Sequence, residues 1–152
     1  MKYLLLCLLS VWGTLQLAAQ QNMPTPVTWS FQAEMINDTT YNLTFTADIQ
    51  KGWYLYAQDL EDGGPIPTTI AFDTSEGLQL IGNTEEEGTA LEGMDELFQM
   101  RVKKFKHQVV FTQRAVIAEG TQLVSGYIEF MTCDDEQCLP PTEIPFAFSF
   151  RG

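Results

Sequence analysis

Apolar and polar positions alternate with a period of two along most of this chain. In residues 41–49 every second residue is aliphatic or aromatic, and residues 144–150 carry a similar alternation. Successive side chains of a strand point to opposite faces of a sheet, so both runs predict strands with one buried face. Seven further segments have strand character: residues 27–36, 53–57, 68–72, 78–81, 98–105, 108–113 and 121–131.

Turn-forming residues separate these segments, as at Asn37-Asp38, Gly82-Asn83 and Glu119-Gly120. Short strands at this spacing, with no helical period of useful length, predict a single all-β domain. Its expected architecture is an immunoglobulin-like antiparallel β-sandwich. The glutamates at 85–87 and the stretch that follows, up to Asp95, predict an exposed excursion between strands.

The N-terminus has the three parts of a secretory signal peptide. Lys2 supplies a positive charge, residues 3–17 are almost wholly apolar, and Ala18-Ala19 offers small residues for cleavage. The apolar run is shorter than the roughly 20 residues that span a bilayer. We therefore predict a signal peptide over 1–19 and a domain over 20–152, exported to the bacterial periplasm and not membrane-spanning once the signal is removed.

The chain is strongly acidic, with 20 Asp and Glu against 8 Lys and Arg and a formal net charge of −12. Such a surface repels nucleic acids and anionic membranes, so we expect neither as a partner. A solvated acidic surface also helps an exported protein stay soluble, and the charge alone does not identify a partner.

Two cysteines remain after the signal peptide, which would take Cys7 with it. Cys133 and Cys138 are separated by four residues, of which three are carboxylates, and Pro140-Pro141 follows. In an oxidising compartment the pair can persist as a disulfide. As a structural cross-link it would be weak. Closing so short a loop contributes about 2 kcal/mol to the stability of the fold, against nearly 5 for a loop of about a hundred residues.

Metal binding is a second possible role for the cysteine pair. Zinc sites need two more Cys or His ligands, and the chain offers only His107. Methionines at positions 94, 100 and 131 could add soft ligands for Cu(I), which makes copper handling the weakest of the alternatives. We expect neither a metal nor a cofactor.

Redox exchange is the third possible role. The carboxylates of Asp134, Asp135 and Glu136 disfavour a thiolate beside them, so the reduced pair should react slowly with casual oxidants. The oxidised pair can still be attacked by an activated thiolate from another protein. This behaviour is typical of a carrier that exchanges electrons with chosen partners.

Four separated motifs, in this order, resemble the N-terminal periplasmic domain of the thiol:disulfide interchange protein DsbD, in a stand-alone form. They are residues 52–58 (GWYLYAQ), 64–68 (GPIPT), 95–98 (DELF) and 133–141 (CDDEQCLPP). The resemblance implies a sandwich with a redox-active pair on a hairpin at one end. It also implies thioredoxin-like proteins or domains as partners, a separate membrane electron donor, and interchange of the protein-disulfide reductase type.

The resemblance assigns roles to individual residues. By motif position, Cys138 forms mixed disulfides with partners and Cys133 resolves them. A cap loop that covers the disulfide and moves aside on docking is expected at Asp95, Glu96, Leu97 and Phe98, and Tyr54 and Tyr56 are expected to line the same end.

This chain departs from the family pattern at two places. It has four residues between the cysteines where the proteobacterial form has five. It also has Leu97 where an aromatic cap residue is expected, so we predict that Phe98 is the shield. The alternative is an immunoglobulin-like binding module with an inert disulfide, in which Tyr54, Tyr56 and Phe98 are simply core residues.

Overall fold

A computed structural model describes residues 23–150 of the chain. The predicted signal peptide, Cys7 and the first residues of the predicted domain lie outside them. Residues 23–150 form nine strands and contain no helix long and apolar enough to cross a membrane. The strands are β1 (Val27–Met35), β2 (Thr40–Ile49), β3 (Tyr54–Tyr56), β4 (Thr69–Phe72), β5 (Leu78–Asp95), β6 (Met100–Ile117), β7 (Leu123–Phe130), β8 (Thr132–Cys133) and β9 (Thr142–Ser149).

The strands form two antiparallel sheets. The larger sheet has the order β1-β2-β6-β3-β8, with β5 also paired to β6, and the smaller sheet has the order β4-β7-β9. The long strand β6 organises the larger sheet, because its second half pairs with β2 and its first half with β3. The predicted all-β antiparallel sandwich is confirmed.

The main core lies between the two sheets and is rich in aromatic rings. Phe45 on β2 lies opposite Phe111 on β6 in register, and its ring is 4.8 Å from that of Phe146 on β9. Trp29 on β1 crosses the layer to Phe130 on β7, with ring centroids 5.4 Å apart. The period of two in the sequence thus corresponds to one face of each strand buried against the other sheet.

A second, smaller cluster lies on the opposite face of the larger sheet. Leu55 belongs to the main core, whereas its neighbour Tyr56 packs with Val102 and Cys133 in a separate cluster. Adjacent residues of a strand point to opposite faces, so this cluster is outside the sandwich core. We call it the outer cluster.

The prediction that residues 85–95 form an excursion between strands is wrong. Residues 85–95 continue β5, which pairs with β6 up to Asp95, and Gly82-Asn83 is a register irregularity within that strand rather than a turn between strands. The side chains of β5 are mostly exposed, so the strand carries no hydrophobic alternation that could reveal it. Backbone hydrogen bonds to β6 form regardless of side-chain polarity.

The segments predicted at 98–105 and 108–113 fall largely in one strand, β6, which begins at Met100, so residues 98 and 99 precede it. Between them His107 has a φ of 67°, and the pairing of β5 with β6 shifts register between Gly88 and Thr89. The shift is a bulge that interrupts the alternation without ending the strand. Gly88 permits it, because a Cβ there would lie 2.6 Å from the carbonyl oxygen of Gln108.

Candidate functional site

The cysteine pair closes a narrow hairpin at one end of the larger sheet. Cys133 lies opposite Cys138, their Cα atoms 4.0 Å apart, and the two are joined by a disulfide. The Leu139 amide donates to the Thr132 carbonyl and the Asp134 amide to the Gln137 carbonyl, each at 2.9 Å. We call residues 132–139 the cysteine hairpin.

Asp134 shapes the turn between the cysteines. Its Oδ1 accepts hydrogen bonds from the amides of Glu136 and Gln137, both at 2.8 Å. These two amides hold the pKa of Asp134 below its usual value. The four intervening residues therefore form an aspartate-capped turn that brings the cysteines face to face.

The two cysteines differ in exposure. Cys133 is completely buried in the outer cluster, and it lies opposite Tyr54 where β8 pairs with β3. Cys138 is only partly buried and packs at the edge of the same cluster. Of the two residues, Cys138 is therefore the more accessible to solvent.

The turn between β5 and β6 lies beside this hairpin, and we call residues 95–99 the cap loop. Oδ1 of Asp95 accepts hydrogen bonds from the amides of Leu97 at 3.0 Å and Phe98 at 3.3 Å. The loop closes where the Gln99 amide donates to the Asp95 carbonyl at 2.8 Å, with Gln99 at a φ of 56°. One buried carboxylate thus sets the shape of the whole loop.

The two apolar residues of the cap loop are placed differently. The Phe98 ring packs edge-to-face on Tyr56, with centroids 5.9 Å apart, and belongs to the outer cluster with both cysteines. Leu97 is 42% exposed and does not pack on that cluster. The placement supports Phe98 as the shield, and its role in exchange stays a prediction.

The second oxygen of Asp95 anchors the cap loop to the sheet. Oδ2 accepts a hydrogen bond from the Tyr56 hydroxyl at 3.2 Å and one from Lys104 Nζ at 2.8 Å. The same ammonium group lies 4.3 Å from the centre of the Tyr54 ring, within the range of a cation–π contact. The sequence reasoning missed Lys104, because a lysine on a strand gives no sign of which neighbours it meets.

Burial and charge set the protonation states of these groups. Burial raises the pKa of Tyr56, and the nearby Asp95 carboxylate raises it further. Burial also raises the pKa of Tyr54, with a smaller effect from Asp135. For Asp95, burial alone would raise the pKa, but Lys104 and the cap-loop amides together bring it below its usual value. Asp95 is therefore charged and both tyrosines neutral at pH 7.

A cleft of about 330 Å³ separates the cap loop from the cysteine hairpin. Its floor and walls are Met94, Asp95, Glu96, Leu97, Lys104, Asp134 and Asp135. Acidic groups dominate this lining, and its one cation is already paired with Asp95. Within residues 23–150, no group of three or more His, Cys, Asp or Glu side chains is arranged to hold a metal ion.

The motif at residues 64–68 contacts residues 56 and 57 of the first motif and Met100, which packs on the outer cluster. Thr68 donates its hydroxyl to the Tyr56 carbonyl at 2.6 Å, and its amide donates to the Ala57 carbonyl at 3.1 Å. Gly64 lies against the sulfur of Met100, so a Cβ there would require the Met100 side chain to shift, and Met100 in turn packs on the outer cluster. The fold thus brings all four motifs to one end of the molecule.

Fold and site together place the chain among immunoglobulin-like domains that exchange thiols and disulfides. Residues 19–149 match the profile of the family described as thiol:disulfide interchange protein DsbD, N-terminal, and the chain belongs to that family. None of the curated proteins matches the chain significantly.

Solved structures share the fold at low sequence identity. The reduced N-terminal domain of Neisseria meningitidis DsbD matches with a TM-score of 0.57 and 19% identity, over 86% of this chain and 92% of that one. The complex of the DsbD and PilB N-terminal domains from the same organism matches with a TM-score of 0.51 and 17% identity, over 85% of this chain and 88% of that one. The N-terminal periplasmic domain of Proteus mirabilis ScsB matches with a TM-score of 0.52 and 13% identity, over 79% of this chain and 50% of that one. The predicted immunoglobulin-like fold and the family resemblance are confirmed.

Proposed function

We propose that this chain carries electrons between thioredoxin-like proteins through its Cys133–Cys138 disulfide. The observation that supports the proposal most directly is the unequal placement of the two sulfur-bearing residues. Cys138 is partly exposed, whereas Cys133 is completely buried. In such a disulfide a partner thiolate can reach one sulfur, and the other sulfur is the leaving group.

The exchange would proceed in two displacements. A partner thiolate attacks Cys138 Sγ, the bond to Cys133 breaks, and Cys133 leaves as a thiolate that takes up a proton. The partner's second thiolate then attacks the mixed disulfide and releases Cys138, which is protonated in turn. The partner loses two electrons and two protons and ends as a disulfide, while this chain ends as a dithiol. The reverse sequence, begun by Cys138 and completed by Cys133, returns the electrons to a second partner.

The surface around the disulfide bears on the choice of partner. Glu96 and Asp135 line the cleft and are exposed, and Glu136, next to Asp135 in the cysteine hairpin, is also exposed. A partner with basic residues around its own cysteines would approach this acidic rim favourably, and an acidic partner would be repelled. One of the neighbouring structures is a complex between the DsbD and PilB N-terminal domains, which is consistent with a domain of this fold docking on another protein.

The proposal includes the compartment and the domain boundaries. Residues 1–19 would be removed on export and the domain over 20–152 would work in the periplasm, supplied by a separate membrane electron donor. The mass of the exported protein tests this boundary. A mass that retains residues 1–19 would contradict it.

Trapping tests the mechanism. In Cys133→Ala, Cys138 has no resolving thiol, so mixed disulfides with a thioredoxin-like protein should accumulate and be visible by non-reducing electrophoresis. Cys138→Ala is the matched control and should form few adducts, because Cys133 is buried. Absence of any adduct in the first variant with every thioredoxin-like partner tried would rule the mechanism out.

The reduction potential separates the carrier from an immunoglobulin-like binding module with an inert bridge. Structural disulfides generally have potentials below about −300 mV, whereas exchange proteins lie higher. Equilibration of the purified domain with glutathione or dithiothreitol buffers would give the value. A potential below that limit would favour the binding module.

A further inference from the structure

We infer that Lys104 is a positioning residue that keeps the cap loop closed over the disulfide and so slows attack on Cys138. The inference deepens the proposed function, because it concerns access to the same disulfide. It assigns a role to a residue that lies outside all four sequence motifs.

The contacts of Lys104 join the two halves of the site. Its Nζ lies 2.8 Å from Asp95 Oδ2 at the root of the cap loop and 4.3 Å from the centre of the Tyr54 ring. Tyr54 on β3 pairs in register with Cys133 on β8, so the ammonium group bridges the cap loop and the strand that pairs with the cysteine hairpin. No other cation takes part in the polar contacts that the described residues make with Asp95.

Burial makes this bridge stronger than an ordinary surface ion pair. The side chain of Asp95 is 2% exposed and that of Lys104 is 20% exposed. Exposed pairs are weakened by water and salt, whereas a partly buried, charge-assisted hydrogen bond is weakened much less. Because Asp95 Oδ1 also holds the amides of Leu97 and Phe98, displacing Asp95 would disturb the whole loop.

Two possible roles of Lys104 predict opposite kinetic effects. A cation beside a disulfide attracts the incoming thiolate and stabilises the thiolate that leaves, so in an electrostatic role its removal would slow reduction. A residue that holds the cap loop shut has the reverse effect, and its removal would speed reduction. The sign of the change therefore distinguishes the two roles.

Lys103 provides a matched control on the same strand. Its Nζ lies 2.9 Å from Glu86 Oε1 and 5.3 Å from the centre of the Phe105 ring, so it also combines an ion pair with an aromatic neighbour. Adjacent strand residues point to opposite faces, and Phe105 belongs to the main core rather than the outer cluster. Replacing Lys103 removes the same charge from the same strand without touching the cap loop.

The test is the rate at which dithiothreitol reduces the Cys133–Cys138 disulfide of the folded chain. The reagent's dithiol becomes a cyclic disulfide as the two cysteines become thiols, so no protein partner is needed. We expect Lys104→Met to be reduced about five- to tenfold faster, as suits the loss of one charge-assisted bond. Lys103→Met should stay within about twofold of wild type, and Lys104→Arg should be closer to wild type than Lys104→Met is, because it keeps the charge that both contacts need.

Amide hydrogen exchange supplies a readout at the loop itself. In Lys104→Met the amides of Leu97 and Phe98 should exchange faster, while those of β2 should not change. If Lys104→Met does not fold, Tyr54→Leu removes the aromatic contact instead and should speed reduction about two- to threefold. Slower or unchanged reduction in the lysine variant, or equal acceleration in Lys103→Met, would overturn the inference.

The outcome is independent of the trapping experiment. A chain that forms no mixed disulfide with any partner would refute the proposed carrier and still show whether Lys104 restrains the cap loop. Conversely, an unchanged reduction rate in Lys104→Met would remove the positioning role and leave the exchange through Cys138 standing.

Discussion

The two faces of the larger sheet are built in different ways. The inner face packs fully buried aromatic and aliphatic residues, such as Phe45 and Phe111, against the smaller sheet. The outer face carries a small cluster around Cys133 that is covered by a loop held through Asp95 and Lys104. The main core therefore lies on the first face and the cysteine pair on the second. On the proposed function, the disulfide would be uncovered and opened without unpacking the core.

The largest effect is expected on the free energy of unfolding, from a substitution in the core on the inner face. Phe45 is completely buried and its ring contacts those of Phe31, Phe72, Phe146 and Phe148. Phe45→Ala should lower the free energy of unfolding by about 3–5 kcal/mol, because it leaves a cavity among these rings. Urea denaturation would measure the loss. The rate of disulfide reduction in the still-folded variant should stay within about twofold of wild type.

A rate that rose in proportion to the loss of stability would break the comparison. It would mean that the disulfide becomes accessible only through global unfolding. The two faces would then not be independent.

A smaller effect, on rate rather than stability, is expected from the cap loop. Phe98→Ala removes the ring that packs on Tyr56 beside the disulfide and should speed reduction by dithiothreitol about tenfold. Leu97→Ala, one residue away and 42% exposed, is the control and should change the rate less than twofold. Stopped-flow or quenched thiol titration would measure both. The reverse ranking would make Leu97 the shield.

The smallest effect is expected in how the stability of the fold depends on pH through Asp95 on the outer face. The pKa of Asp95 is lowered in the folded protein, so its carboxylate stabilises the fold at pH values above its ordinary pKa of about 3.9. That contribution is lost as the pH falls through the folded pKa. The stability difference between wild type and Asp95→Asn should therefore be constant near neutrality and shrink below about pH 4. Thermal unfolding across pH would show this, and a difference that grew on acidification would contradict it.

Several features of the fold could be read from particular residues. The alternation in residues 41–49 and 144–150 predicted strands that the structure has as β2 and β9, because half-buried strands reveal themselves through their side chains. The cysteine spacing and the three other motifs predicted one shared site. The strand over 85–95 escaped prediction, since an exposed edge strand follows no hydrophobic pattern.

The sequence by itself determined the class of fold and the family, and it predicted the candidate site residues other than Lys104, because these depend on local alternation and on short motifs. Only the tertiary structure decided which cysteine is buried, which apolar cap residue faces the outer cluster, and that Lys104 meets Asp95. These outcomes depend on the register between β6, β3 and the cysteine hairpin, which joins residues far apart in the chain. A strand's own pattern fixes which residues share a face, but pairing with distant strands fixes what that face meets.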